Sequence, residues 1–242
     1  MERAEGVARL AALGFSEADV AELWAHFDAA ERRGKPSHGH ARIPWLEQLE
    51  GFDPHAEPRR LDETRWDGNG AVGYLVLARV VAAQLAAPPE QARLVVCERT
   101  FPTGMLGWHV RRLAEGGLVS LLTTTSPRRL APPGGGPALA STSPLAIGIP
   151  SSGGDPVVVD VSMSEATWGD VVAGLAAEED VKPFGGPHAH KAFALAVGLQ
   201  LFVDALVREP GHAAVLLVAR PESDPVPALR ALAAGARLPG DR

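Results

Sequence analysis

Apolar positions along this chain of 242 residues alternate between a helical and a strand rhythm. Val20, Leu23, Trp24 and Phe27 recur at helical spacing behind Ser16-Glu17-Ala18-Asp19, which reads as an N-cap with an acidic residue three positions on. Gly34 is placed to end that helix. A second helix is expected over 43–52, and a long apolar one over 72–86 that stops at Pro88-Pro89. Residues 92–97 read as a buried strand. Leu106, Val110 and Leu113 share one face of a further helix, closed by Gly116-Gly117, and Leu118–Leu122 is the next strand. The middle is rich in turns. The apolar segment 145–149, the strand Val157–Val161, an apolar helix over 190–207, a strand over 214–219 and a short amphipathic helix over 226–236 follow. Strand, helix and strand in succession predict an α/β fold. There is no internal repeat and no linker, so 1–242 is expected to form a single domain.

Composition narrows the function. Hydrophobic residues make up 46% and charged residues 21%, ordinary for a globular protein that buries a core. The formal net charge is -6 and there is no basic stripe, so neither nucleic acid nor an anionic membrane surface is an expected partner. No apolar run reaches the length of a membrane span, and MERAEGVARL lacks the apolar stretch of a signal peptide. The single cysteine, Cys97, excludes an intramolecular disulfide and fits a cytoplasmic location. It ends an apolar run and reads as a buried structural thiol.

Ser37-His38-Gly39-His40-Ala41-Arg42 follows the first helix stop and so sits in a loop. A hydroxyl, an imidazole that titrates near neutrality and a guanidinium together can move a proton while gripping a carboxylate. The same residues also suit a polar surface loop. No G-x-G-x-x-G follows a strand, and there is no Walker loop, H-E-x-x-H, paired-cysteine motif or G-x-S-x-G. Asp160, His188, His190 and His38 have no metal-ligand spacing, so no metal is expected. The hydroxyl clusters at 123–126 and 141–143 lie where strands end, where they either hold phosphates or cap turns. His190-Lys191 opens an apolar helix, where a Lys either meets an anion drawn to the helix N-terminus or is simply solvated.

Together these segments resemble the malate/L-lactate dehydrogenase family that is unrelated to Rossmann-type dehydrogenases, and the likeness runs from about residue 10 to about residue 240. The family's R-G-x-x-S-H-G-x-x-R matches Arg33 to Arg42, and its D-G-x-x-x-x-G matches Asp67 to Gly73. Its T-N-S and A-P-x-G-G are similar to Thr124-Thr125-Ser126 and to Ala131 through Gly135. Its G-T-N-P corresponds to Ser141-Thr142-Ser143-Pro144, its D-x-A-T-S to Asp160 through Ser164, its H-K-G to His190-Lys191-Ala192 and its P-G-E to Pro239-Gly240-Asp241.

The resemblance implies a mixed β-sheet with flanking helices, a homodimer, and NADPH or NADH as cofactor. It implies hydride transfer to C2 of a small 2-oxo or cyclic 2-imino acid. By the same likeness, residues 1–60 carry the substrate loop and 61–242 the nucleotide-binding sheet. Arg42 would bind the substrate carboxylate, His38 would supply the proton and Ser37 would orient the imidazole. Thr124, Thr125, Ser126, Ser141, Thr142, Ser143, Pro144, Asp160, His190 and Lys191 would lie along the cofactor. Arg128 and Arg129 either meet a 2′-phosphate or are solvated.

The chain also departs from the family. The family's N-S-H-H-I-G is Arg99-Thr100-Phe101-Pro102-Thr103-Gly104 here, without either histidine, and His109, over a turn further on, is expected to point elsewhere. Two readings follow. One is a minimal reductase using His38 alone. The other is a member that has lost hydride transfer and acts as an isomerase, cyclase or lyase on an amino or imino acid, or as a binding partner.

Overall fold

The chain opens with helices α1 (Arg3–Ala12) and α2 (Glu17–Arg32). The computed structural model describes residues 1–209 and 211–241. The Ser16 hydroxyl accepts the Asp19 amide at 3.2 Å, which fixes the start of α2 where the cap was expected. Val20, Leu23, Trp24 and Phe27 are all buried. A 3-10 turn at Pro36–His38 leads into α3 (Arg42–Leu46), then β1 (Arg59–Arg60), β2 (Arg65–Asp67), α4 (Gly73–Ala86), β3 (Ala92–Glu98), α5 (Leu106–Glu115), β4 (Val119–Thr124), β5 (Leu145–Ile149) and β6 (Val157–Val161). Helix α6 (Trp168–Val172), two further 3-10 turns, α7 (Ala189–Asp204), β7 (Ala213–Ala219) and α8 (Val226–Ala233) complete the described elements.

The helix expected over 43–52 is only α3. Past Leu46 the amides of Gln48 and Leu49 bond three residues back, and the chain turns away before Gly51. Helix α7 ends at Asp204 and α8 at Ala233, each three residues short of the sequence expectation.

The strands form one mixed sheet in the order β1-β2-β3-β7-β4-β5-β6. Strand β7 inserts between β3 and β4 and runs antiparallel to both, while β2 and β3 are parallel. Helices α4 and α5 cover one face, packing Val76, Leu77, Val80, Leu106, Val110 and Leu113 on Val95, Cys97, Leu122, Ala146 and Leu216. A second core joins α1–α3 to the start of α4 through Leu10, Leu23, Phe27, Ile43, Val72, Tyr74 and Leu75. Helix α7 packs on the other face of the sheet, with Val203 against Val96 and Val215. The ends of β4 and β6, the start of α5 and the loop after α2 thereby converge.

Candidate active site

Helix α5 has no capping side chain of its own. Two of its first amides are satisfied from afar: Met105 N–H donates to His26 Nε2 and Gly107 N–H to Asp160 Oδ2, each at 3.0 Å. A Cβ at Gly107 would fall 2.9 Å from that Asp160 oxygen, so a larger residue would displace the carboxylate. The same Oδ2 accepts from Lys35 Nζ at 3.0 Å. Asp160 therefore pins the loop carrying Ser37, His38 and Arg42 against the end of β6.

A cavity of about 310 Å³ opens beneath this pin. Of the sequence-predicted residues, Ser37, His38, Arg42, Thr124, Ser126, Thr142, Pro144 and Asp160 line it. Arg42 is 8% exposed, and its guanidinium carbon lies 4.9 Å from the centre of the Trp45 ring. Its Nε has no hydrogen-bond partner, and no carboxylate among the described residues forms an ion pair with it. A buried cation without a counter-ion is costly, so this one is suited to an anion that enters the cavity.

His38 Nδ1 lies 3.1 Å from Ser37 Oγ. Burial, and then the Arg42 charge, lower the His38 pKa to about 4, with Asp160 and Asp170 pulling the other way. The imidazole is therefore neutral near pH 7. Burial pushes the Asp170 carboxyl up, but hydrogen bonds from Ser37 and Thr167 outweigh it and hold the group below its ordinary range. A Ser37 hydroxyl given to Asp170 leaves its oxygen to accept His38 Nδ1–H, so Nε2 is the atom that exchanges a proton.

The remaining predicted residues stay outside the cavity. Thr125 Oγ1 accepts the Ala213 amide at 2.9 Å. The Ser141 amide donates to Gln200 Oε1 at 3.0 Å, and the Ser143 hydroxyl donates to the Ala196 carbonyl at 3.0 Å. The Thr125 and Ser143 hydroxyls and the Ser141 amide thus make buried ties between strand ends and neighbouring segments. His190 and Lys191 are exposed on the first turn of α7, which points them to solvent. Arg128 pairs with Asp204 at 3.2 Å, and the guanidinium carbon of Arg129 lies 3.3 Å from the centre of the Trp168 ring. His109 is fully buried against His26, with ring centres 5.2 Å apart, so it does not replace the missing histidines. Lys35, Asp170, His26 and Tyr74 take part without any signal in the sequence beyond Lys35 falling inside the Arg33–Arg42 motif.

A profile of the malate/L-lactate dehydrogenase family matches residues 3–185. The chain is 31% identical over 159 residues to the (2R)-3-sulfolactate dehydrogenase (NADP(+)) of Chromohalobacter salexigens, covering 63% of this chain and 48% of that protein. It is also 31% identical over 234 residues to a Delta(1)-pyrroline-2-carboxylate/Delta(1)-piperideine-2-carboxylate reductase of Pseudomonas putida, covering 80% of this chain and 65% of that one. It thus spans between about half and two thirds of these relatives. Among solved structures, the delta1-piperideine-2-carboxylate reductase of Pseudomonas syringae superposes with a TM-score of 0.82 at 24% identity, over 98% of this chain and 88% of that one. The malate dehydrogenase of Entamoeba histolytica gives 0.80 at 18%, over 99% and 85%. With the profile covering three quarters of its length and the fold agreeing throughout, the chain belongs to the malate/L-lactate dehydrogenase family.

Proposed function

We propose that this protein is an NAD(P)H-dependent oxidoreductase acting by hydride transfer at C2 of a 2-oxo or cyclic 2-imino acid. The observation that carries the reading is the buried Arg42 guanidinium, whose Nε has no hydrogen-bond partner and which forms no ion pair among the described residues, in the lining of the same cavity as His38. Arg42 binds the substrate carboxylate through paired N–H donors. His38 exchanges the proton from Nε2, with Ser37 and Asp170 holding its tautomer. A carboxylate on Arg42 offsets the Arg42 charge, which after burial is the second cause of the lowered His38 pKa, and so favours the protonated imidazole. Substrate arrival thus prepares the proton donor.

The cofactor groove fits a dinucleotide. Ser126 lines both the 310 Å³ cavity and a neighbouring one of about 580 Å³, which holds Arg128, Arg208 and His212 beside Asp204 and Glu209. Hydroxyls at strand ends followed by cations suit a ribose and pyrophosphate. NADPH or NADH would lie there along Thr124, Ser126, Thr142 and Pro144, and supplies the hydride when bound. Residues 1–60 then bring the substrate loop and 61–242 the nucleotide side. The exposed apolar face of α7 supports a homodimer, and the unpaired, buried Cys97 supports a cytoplasmic setting. No helix among the described residues is long and apolar enough to cross a membrane.

The lack of any imidazole in Phe101–Gly104 favours the competing non-redox reading. Nucleotide binding separates the two. NADPH or NADH at a hundred times its Kd is expected to stabilise the protein by about 2.7 kcal/mol, read as a rise in melting temperature. No rise with either nucleotide at millimolar concentration overturns the redox reading.

A further inference from the structure

Tyr74 is the sole tyrosine of the chain and sits on the first turn of α4. It is 2% exposed, with its ring edge-on to His26 at 5.2 Å and to Phe27 at 5.1 Å. Behind it, Gly104 has φ +69°, and a Cβ there would fall 2.2 Å from Tyr74 Cε1. The ring is therefore held in one orientation. Its hydroxyl is buried and has no hydrogen-bond partner among the described residues. Tyr74 also lines the cavity that holds Arg42 and His38. Phenylalanine would give the same packing without an unpaired hydroxyl, so the oxygen is explained by something that enters the cavity.

The Phe101–Thr103 segment of the same cavity lining has no imidazole to make that contact. Phe101 has no polar side-chain atom, Pro102 has no N–H, and the Thr103 hydroxyl is engaged with Thr124 Oγ1 at 3.3 Å. With the carboxylate on Arg42, the remaining polar atom of a 2-oxo or 2-imino acid is the one attached to C2.

We propose that the Tyr74 hydroxyl hydrogen-bonds the C2 oxygen or nitrogen of the substrate and so takes the place left by the absent histidines. The proposal rests on the redox reading above. As hydride adds to C2 of a 2-oxo acid, a C–H bond forms and the C=O π pair moves to oxygen. Tyr74 O–H holds that oxygen while His38 Nε2–H delivers the proton that completes the hydroxyl. For a protonated imine, the phenol oxygen accepts the N–H instead. Burial raises the Tyr74 pKa, opposed by the Arg42 charge, so the group remains an O–H donor near neutrality.

The test is Tyr74→Phe, which keeps the ring and removes the hydroxyl. Reduction of 2-oxo acids by the variant is expected to lose about 10²-fold or more in kcat/KM, with no fall in melting temperature. Oxamate, a non-reducible 2-oxo acid analogue, is expected to bind the wild type about tenfold more tightly than the variant. It should also perturb the ultraviolet band of the single tyrosine and delay its phenolate titration. Full turnover by the variant, or oxamate binding that leaves both the tyrosine spectrum and the affinity difference at zero, overturns the assignment. A wild type that reduces no 2-oxo or 2-imino acid with either nucleotide overturns the redox reading instead. The oxamate comparison then still decides whether Tyr74 is a ligand contact.

Discussion

Helices α4 and α7 look alike in sequence and end in opposite circumstances. Both are apolar around most of their circumference. Helix α4 buries Tyr74 and Leu75 against the N-terminal helices and Val76, Leu77, Val80 and Val81 against the sheet. Helix α7 buries one stripe, Ala192, Ala196, Gln200 and Val203, and leaves Leu195, Leu201 and Phe202 at 54%, 59% and 45% exposure. A helix that is apolar all round needs cover on both sides. For α4 the chain supplies both covers, whereas α7 has one, so its outer face is suited to a partner. The functional consequence follows the packing. Tyr74, on the enclosed helix, borders the cavity, whereas His190 and Lys191, on the half-covered one, face solvent.

Leu77→Ala in α4 is the sharpest probe of this difference. Leu77 is 1% exposed, and truncation is expected to cost about 2–5 kcal/mol by denaturant titration. Leu201→Ala in α7 should cost under about 0.5 kcal/mol at low protein concentration. Equal losses would show that α7 is covered in solution as fully as α4.

The second test uses pH. His26 and His109 are wedged among α2, α4 and α5, and burial foremost drives both below the ordinary histidine range, His109 to about 3. Folding thus keeps neutral two imidazoles that protonate near pH 6.5 when unfolded. Their stability contribution is complete above pH 6.5 and is lost as pH falls, for His109 over the range down to about 3 at roughly 1.4 kcal/mol per unit and for His26 in the same direction. His38, lowered to about 4, adds to the same window. Asp67 acts lower: burial raises its pKa, but Arg99 and Arg59 outweigh it and bring it to about 2, so its contribution is lost only between about 3.8 and 2. A melting temperature that is flat from pH 7 to 5, or a His109→Phe variant with the wild-type acid profile, contradicts this arrangement.

The smallest effect on stability is expected from Leu201→Asp, within about 0.5 kcal/mol for an isolated chain. Its readout is mass by sedimentation. If the wild type sediments as a dimer, its conversion to a monomer supports the α7 face as the contact and an unchanged mass places the contact elsewhere, whereas a monomeric wild type overturns the proposed dimer.

Much of this layout is legible along the chain because the signals are local. The Ser16 cap, the period of Val20 to Phe27, the strand at 92–97 and the face shared by Leu106, Val110 and Leu113 each depend on residues within a few turns of one another. Overreach came where a local pattern continued past a turn, as over 43–52. The site is less legible. Ser37, His38 and Arg42 stand out as residue types in a motif, but their electrostatic state depends on distant groups. Lys35 meets Asp160 across 125 positions, and His26 meets the Met105 amide across 79.

By itself, the sequence determined the α/β class, the family and the loop from Ser37 to Arg42, because periodicity, capping and motif order are properties of neighbouring residues. Only the tertiary structure decided which hydroxyls line the cavity and which tie strands together, that Asp160 caps α5 while holding Lys35, and that the Tyr74 hydroxyl is left without a partner. Those outcomes depend on burial and on distances between segments far apart in the chain, and both come into being only when the sheet and helices pack.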